Sequence, residues 1–404
     1  MRRFYRKLLK RLLNVLLVVA VLAFIFVGIL TVLSYSVDDF DLEGLLAVRS
    51  VDELQEWYSG EVTNAVVGQP VVVESVSYDR YAYQQLDDET KAVYDQVYDC
   101  ITTFSDKITL STKESSVLEK AYEAVMADYG NLFWVKGYQY NTYTSGDTVV
   151  GLEFAPKYTM DEEQRDIYQL AIDAKVEEWL AGVNESDSDF DKALCVFETL
   201  IENVDYDENS EENQNILSVF LYQSTVCQGY ADATWYLLEQ LGIKSTIITG
   251  TANGESHAWN LVYLDNAYYF MDVTWGNSKY LNLDNSTEKR VNYAYFAMTS
   301  EELSQTHTIT SSFAVPECLS TADNYYVHYG LYFSEFDADA IGNLMSQSLE
   351  NGDSELSIKF GNSELYNKVV EYFFDEKHIS DYCSSLESIY YLMDENANVL
   401  TIQW

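Results

Sequence analysis

The chain has 404 residues, 48% of them hydrophobic, and a formal net charge of −41 from 65 acidic and 24 basic side chains. That length allows two or three domains, and that hydrophobic share fills a real core. A surface so acidic repels phosphate backbones and anionic headgroups, which excludes nucleic acid as a partner; it favours cationic partners, or is simply a solvated acidic face.

Met1–Arg11 is basic, and Leu12–Leu33 is a run of 22 residues without a charge. About 20 apolar residues span a bilayer core. Ser34-Tyr35-Ser36 is a poor cleavage site, and no lipid-attachment cysteine stands there. The expectation is one signal-anchor over 12–34, with the tail 1–11 in the cytoplasm and the bulk of the chain outside a cell membrane. Residues 35–158 then read as a small α+β accessory domain. It has an acidic linker, a strand over Val71–Tyr78, helices over Leu86–Phe104 and Glu114–Asp128, and strands over Leu132–Tyr143 and Thr148–Phe154. Cys100 falls on the apolar face of Val93, Val97, Ile101 and Phe104, as a buried small hydrophobe does.

Residues 159–318 hold the residues capable of chemistry. Helices are expected over Asp161–Leu180, with acids in the first turn, and over Phe190–Asn203. Tyr206 follows in V-D-Y-D, where it can donate a hydroxyl to an oxyanion or pack against the next helix. Gln214–Tyr222 brings the chain to Gln223, a second candidate oxyanion donor, and then to Cys227. Apolar residues at Tyr230, Thr234, Trp235, Leu237, Leu238 and Leu241 recur at helical spacing, and Gly242 marks the stop. Cys227 therefore lies at a helix N-terminus, where the dipole and free N–H groups favour a thiolate and can hold an oxyanion. Gln228 is solvated or faces the groove. Gly229 lets substrate or a neighbouring strand approach closely.

Lys244–Gly250 reads as a strand, and Ser256–Leu264 and Ala267–Trp275 as a hairpin turning at Asp265-Asn266. If Leu264 pairs with Ala267, Trp259 faces Asp272 and His257 faces Thr274. His257 and Asp272 are then diagonal neighbours on one face, about 7–8 Å apart along the backbone, within reach of two polar side chains. A slip of one residue would separate them. Trp259 and Trp275 are expected to pack around this cluster. A thiol, an imidazole and a carboxylate together make a nucleophile, a base and an orienting acid.

The segments V-C-Q-G-Y-A, H-A-W-N-L-V and Y-Y-F-M-D-V-T-W, in that order, resemble the three catalytic blocks of the transglutaminase-like superfamily. The segments around Asp128–Tyr140, Tyr206 and Asn292–Leu303 are similar to bacterial extracellular members. The resemblance spans roughly Leu86–Pro316. It implies a papain-like α+β core with Cys227 as nucleophile, His257 as general base and acid, and Asp272 as the orienting acid. It also implies thioester chemistry on amides of proteins or peptides: acyl transfer, or hydrolysis as by a peptidase or amidase on cell-wall peptides. A surface protein that binds without catalysis on the same fold is the other reading.

Asn292–Phe296 reads as a strand, and Thr299 or Ser300 as the cap of a following helix. His307, His328 and His378 stand alone, without ligand spacing, as surface or packing histidines. The five cysteines, Cys100, Cys195, Cys227, Cys318 and Cys383, include no C-x-x-C pair, so no zinc site and no disulfide framework is read. Neither a metal nor a cofactor is expected. Residues 319–404 read as a β-α-β-α-β-β module, with strands over Tyr325–Tyr332, Glu355–Phe360, Ile389–Asp394 and Val399–Trp404 and helices over Ala338–Leu349 and Leu365–Phe374. The whole is expected to be α+β: a transglutaminase-like core behind a membrane helix and a small domain, followed by a ferredoxin-like module.

Overall fold

The computed structural model describes residues 68–404 apart from 72, 74, 76, 278–289 and 385–388. The expected span 12–34, its basic flank and most of the linker lie outside the described residues. Among the described residues no helix is long and apolar enough to cross a membrane.

The first elements are α1 (Tyr81–Gln84) and α2 (Asp88–Thr102). Asp87 caps α2 by accepting from the Thr90 N–H, and α2 buries Val93, Val97, Cys100 and Ile101, the stripe that the spacing predicts. Next come β1 (Ile108–Thr109), α3 (Ser115–Asp128), β2 (Val135–Ser145) and β3 (Thr148–Tyr158), whose strands form an antiparallel sheet in the order β1-β3-β2. The buried Asp128 at the end of α3 accepts from the N–H groups of Ala82 and Tyr83, both at 2.9 Å, and so anchors the first turn of α1. The described residues of 71–78 form no strand; the Gln96 amide instead holds the Val71 carbonyl.

Two helices follow, α4 (Glu162–Leu180) and α5 (Asp189–Asn203). Asp161 and Gln164 form a capping box on α4, and Ser188 caps α5. A short parallel pair joins β4 (Asp205–Tyr206) to β5 (Ser224–Thr225), with a π-helical turn at Ser218–Tyr222 between them. Then come α6 (Cys227–Gln240), β6 (Ser245–Ala252), β7 (Glu255–Leu264), β8 (Ala267–Met271), α7 (Val273–Gly276), α8 (Ser300–Leu303) and β9 (His307–Ile309). Their four strands form one antiparallel sheet, ordered β8-β7-β6-β9, with α6 packed against β6 and β7.

Leu264 pairs with Ala267 as the hairpin predicts. Asp265 and Asn266 both take positive φ, 43° and 69°, which the tight turn demands. The second strand is shorter than expected, however. It ends at Met271, and Val273–Trp275 turn into α7 because the Asp272 carboxylate caps the Trp275 N–H. Asn292–Phe296 is likewise no strand. Asn292 accepts from the Ala294 N–H and starts a 3-10 turn over Tyr293–Tyr295. Thr299 caps α8 in a reciprocal box with Glu302, as expected.

The C-terminal elements are α9 (Tyr325–His328), β10 (Tyr332–Phe333), α10 (Ala338–Asn351), β11 (Glu355–Phe360), α11 (Ser363–Val370), α12 (Ile379–Tyr382), β12 (Tyr390–Asp394) and β13 (Val399–Gln403). Tyr325–Tyr332 was expected as one strand. Instead Asn324 caps a helical turn, and Tyr325 stacks on Tyr293 at 3.7 Å between ring centres. The sheet order is β10-β11-β13-β12, with β10 and β11 parallel and adjacent. A ferredoxin-like unit runs β-α-β-β-α-β; from β10 onward this succession is β-α-β-α-α-β-β, so the ferredoxin-like order is not the one found. One hydrophobic cluster runs from Ala82 to Tyr326 and takes in Val399, while a second gathers Ile341, Met345, Phe373 and Ile402.

Candidate active site

Cys227 is the first residue of α6, behind Val226, whose side chain cannot cap. The first bond of the helix runs from the Tyr230 N–H to the Val226 carbonyl at 3.1 Å. The N–H groups of Cys227, Gln228 and Gly229 therefore precede the helical ladder, and a helix start of this kind favours an anion. The thiol is half-buried, and all five cysteines are free thiols, with Cys100, Cys318 and Cys383 buried.

His257 comes from β7, and its ring is almost wholly buried. Its Nε2 donates to Asp272 Oδ2 at 2.7 Å. Its other neighbour is Cys227, whose sulfur also supports a charge on the ring; the bond to Asp272 leaves Nδ1 unengaged by the carboxylate. Burial opposes a charged ring, but the Asp272 carboxylate and the Cys227 sulfur outweigh it and His257 is pushed up to about 10. Asp272 is fully buried. Burial works against its charge too, yet His257 and His307 hold the carboxyl below the usual carboxylate range. Its Oδ1 accepts from the Trp275 N–H at 3.0 Å, and its own N–H donates to the Tyr295 carbonyl at 3.0 Å. The structure thus brings Cys227, His257 and Asp272 together, with Asp272 just past the strand end rather than on it.

Trp259 lies with its ring 6.0 Å from His257, and Trp275 at 6.2 Å, both buried. Tyr206 sits on β4, paired with Thr225 two residues before Cys227, and packs on the core. Gln223 is exposed in a left-handed conformation, φ 52°, and its amide holds the Asn203 carbonyl at 3.3 Å. Gln228 is half-buried, and its amide donates to Asp232 one turn along α6, at 2.9 Å. Gly229 packs against protein. A Cβ there would collide with Thr225 Oγ1 and lie 3.1 Å from Ser218 Oγ, so the close approach is that of β5.

Two participants have no signal in the motif spacing. Asn260, on β7, donates to the Ala231 carbonyl of α6 at 3.0 Å. His307, expected as a lone packing histidine, is buried on β9 and reaches Asp272 Oδ2 at 3.0 Å. An alternating polar strand after the third block, H-T-I-T, was the available hint. His257, Asp272 and His307 present three ligand-type atoms within 4.8 Å. Both imidazole contacts to the one oxygen, at 2.7 and 3.0 Å, have hydrogen-bond geometry, and the cluster reads as N–H donors on a carboxylate. A separate cavity of about 600 Å³ is lined by Thr306, Tyr295, Glu302 and Lys359 but not by Cys227 or His257.

Residues 177–273 match the model of a family described as the transglutaminase-like superfamily. Kyphoscoliosis peptidase of Homo sapiens is 24% identical over 135 residues, covering 28% of this chain and 20% of that protein. The Mus musculus protein is 23% identical over 124 residues, covering 26% and 18%. The chain thus spans about a fifth of those relatives' length. Among solved structures, one described as a TGase has 13% identity and a TM-score of 0.27, covering 46% of this chain and 53% of its own. The periplasmic domain of TgpA from Pseudomonas aeruginosa has 15% identity and a TM-score of 0.21, covering 31% and 55%.

Proposed function

We propose, from the premise that residues 177–273 are a domain of the transglutaminase-like superfamily, that this chain is a Cys-His-Asp thiol enzyme. It acts on amide bonds of proteins or peptides through a thioester. The observation that carries the reading is the line from Asp272 through His257 to a free, half-buried thiol at a helix N-terminus. A helix N-terminus and an adjacent imidazolium both stabilise negative charge on sulfur. In the first step the Cys227 sulfur attacks the amide carbonyl carbon. The N–H groups at the start of α6 receive the oxyanion. The carbon–nitrogen bond then breaks, and the His257 imidazolium gives its proton to the leaving amine. In the second step an amine or water attacks the thioester, His257 takes its proton, and the sulfur leaves. Amine as acceptor gives crosslinking; water gives deamidation or peptide hydrolysis, including peptidase or amidase action on cell-wall peptides.

The location belongs to the same proposal. The uncharged run Leu12–Leu33 behind a basic flank supports a single-pass anchor, with the site outside the cell and surface-associated peptides as substrates. Recovery of the intact chain free of membranes would remove this part.

Iodoacetamide labelling near neutral pH tests the chemistry, followed by the mass of any acyl species trapped on Cys227 from a peptide-amide library. Fast, selective labelling and an acyl adduct absent in Cys227→Ser are expected. A sluggish thiol, with partner binding intact in Cys227→Ser, would instead make this a binding protein.

A further inference from the structure

We propose that His307 is a positioning residue of this thiol site: together with His257 it pins a single carboxylate oxygen of Asp272. The inference rests on the reading of Cys227 as nucleophile.

The ring of His307 has no exposed surface, and its Nε2 lies 3.0 Å from Asp272 Oδ2. A carboxylate only accepts, so Nε2 carries the proton. In the neutral ring Nδ1 is then an acceptor, and the Thr306 hydroxyl stands 2.7 Å from it. Asp272 thus sets the proton on Nε2, and the Thr306 hydroxyl, able to donate or accept, holds the other ring nitrogen in place.

With His307 in place the carboxylate is fixed at both oxygens. Oδ1 takes the Trp275 N–H and Oδ2 takes the two imidazoles. It cannot rotate without breaking bonds that have no replacement in a buried site. The surroundings hold the second ring as firmly as the first. Trp259 packs edge-on at 5.0 Å and Trp275 at 4.8 Å. His307 pairs with Ala252 on β6, two positions from Gly250, which pairs with His257 on β7. Gly250 has no side chain to hold β9 away: a Cβ there would strike the Thr308 carbonyl oxygen. The sheet therefore sets His307 and His257 on one carboxylate. An imidazole that only filled space would need neither the hydroxyl nor the shared oxygen.

The titratable groups facing Asp272 are His257 from β7, His307 from β9 and Tyr295 from the turn before α8; Cys227 acts through His257. Loss of one donor leaves the carboxylate less well held as an anion, so it takes up a proton at higher pH.

Two measurements on the full chain test this. With only four histidines in the chain, ¹⁵N-histidine spectra resolve each ring. The expected result is His307 protonated at Nε2; a folded protein with Nε2 bare and the proton on Nδ1 overturns the proposal whether or not any variant folds. The second measurement is the rate of Cys227 alkylation against pH in wild type, His307→Gln and His307→Leu. His307→Leu is expected to alkylate about tenfold more slowly at neutral pH, the size of one lost charged hydrogen bond, with its acid limb moved to higher pH. His307→Gln, which keeps an N–H near the Nε2 position, is expected to restore both. If both variants melt earlier but alkylate as wild type does, His307 is structural and this inference alone fails. A slow wild-type thiol removes the nucleophile reading and this inference with it.

Discussion

Asn260 donates its side-chain amide to the backbone carbonyl of Ala231 at 3.0 Å, and so ties the strand that carries His257 to the helix that carries Cys227. The same amide reaches Ser245 Oγ at 3.3 Å on β6. The asparagine is buried among hydrophobic neighbours, so these partners have no water to replace them.

Asn260→Ala is therefore expected to lower stability by about 1–3 kcal/mol, the cost of leaving a buried carbonyl unpaired. It should also slow Cys227 alkylation, because helix and strand lose a fixed separation. Urea unfolding and the alkylation rate of the folded variant check the two parts. Lowered stability with an unchanged rate would make the bond purely structural.

Asp272→Asn keeps the shape of the site but replaces an acceptor with a group that also donates. His257 then loses the partner that fixes its tautomer and supports its charge. By analogy with other triads the expected loss in turnover is about 10⁴-fold. It is measured with whichever peptide amide acylates Cys227. Turnover within tenfold of wild type would deny Asp272 its orienting role.

The pH dependence follows from the sign of each shift. His257 is raised to about 10 from an unfolded value near 6.5. Its contribution to stability is fully present below the unfolded value and is lost as pH rises through about 10. Asp272 is shifted downward, so its contribution is present above the ordinary carboxylate value and is lost as pH falls through its lowered one. Wild type should therefore lose its stability advantage over Asp272→Asn at both ends. Paired urea midpoints from acid to pH near 10 measure this. An advantage flat across the alkaline range would contradict the imidazolium.

Gly250→Ala tests the close packing of β9 on β6. The new methyl meets the Thr308 carbonyl oxygen and lies 2.8 Å from the Trp259 ring. Backbone cannot yield as a flexible side chain does. A loss of about 1–3 kcal/mol is expected from overpacking, with slower Cys227 alkylation because β9 moves with His307. Thermal unfolding and alkylation on the same samples report both. Unchanged values in the two would mean that β9 has room the packing does not reveal.

Local rules read a large part of this molecule from its sequence. The helical spacing from Tyr230 to Leu241 placed Cys227 at a helix start, because an amphipathic period and a Gly stop are short-range properties. The Asp265-Asn266 turn set the hairpin register, because only a few residue types accept its positive φ, and that register put His257 beside Asp272. Where a single cap competes with a strand pattern, the cap won: Asp272 ended β8, Asn292 made a 3-10 turn, and Asn324 turned Tyr325–His328 into a helix. Those outcomes depend on hydrogen bonds that periodicity does not register.

Tertiary structure alone decided the rest. His307 lies 35 residues beyond Asp272, with no motif spacing to connect them, and reaches it only because β9 adds to the edge of β6. Asn260 stands in a quoted block, yet its partner is on another element. The order of the C-terminal strands was equally invisible, since the succession of elements does not say which edges pair. Chain-local physical chemistry specified the thiol, the imidazole and the carboxylate, whereas the packing of distant strands decided what holds the carboxylate in place.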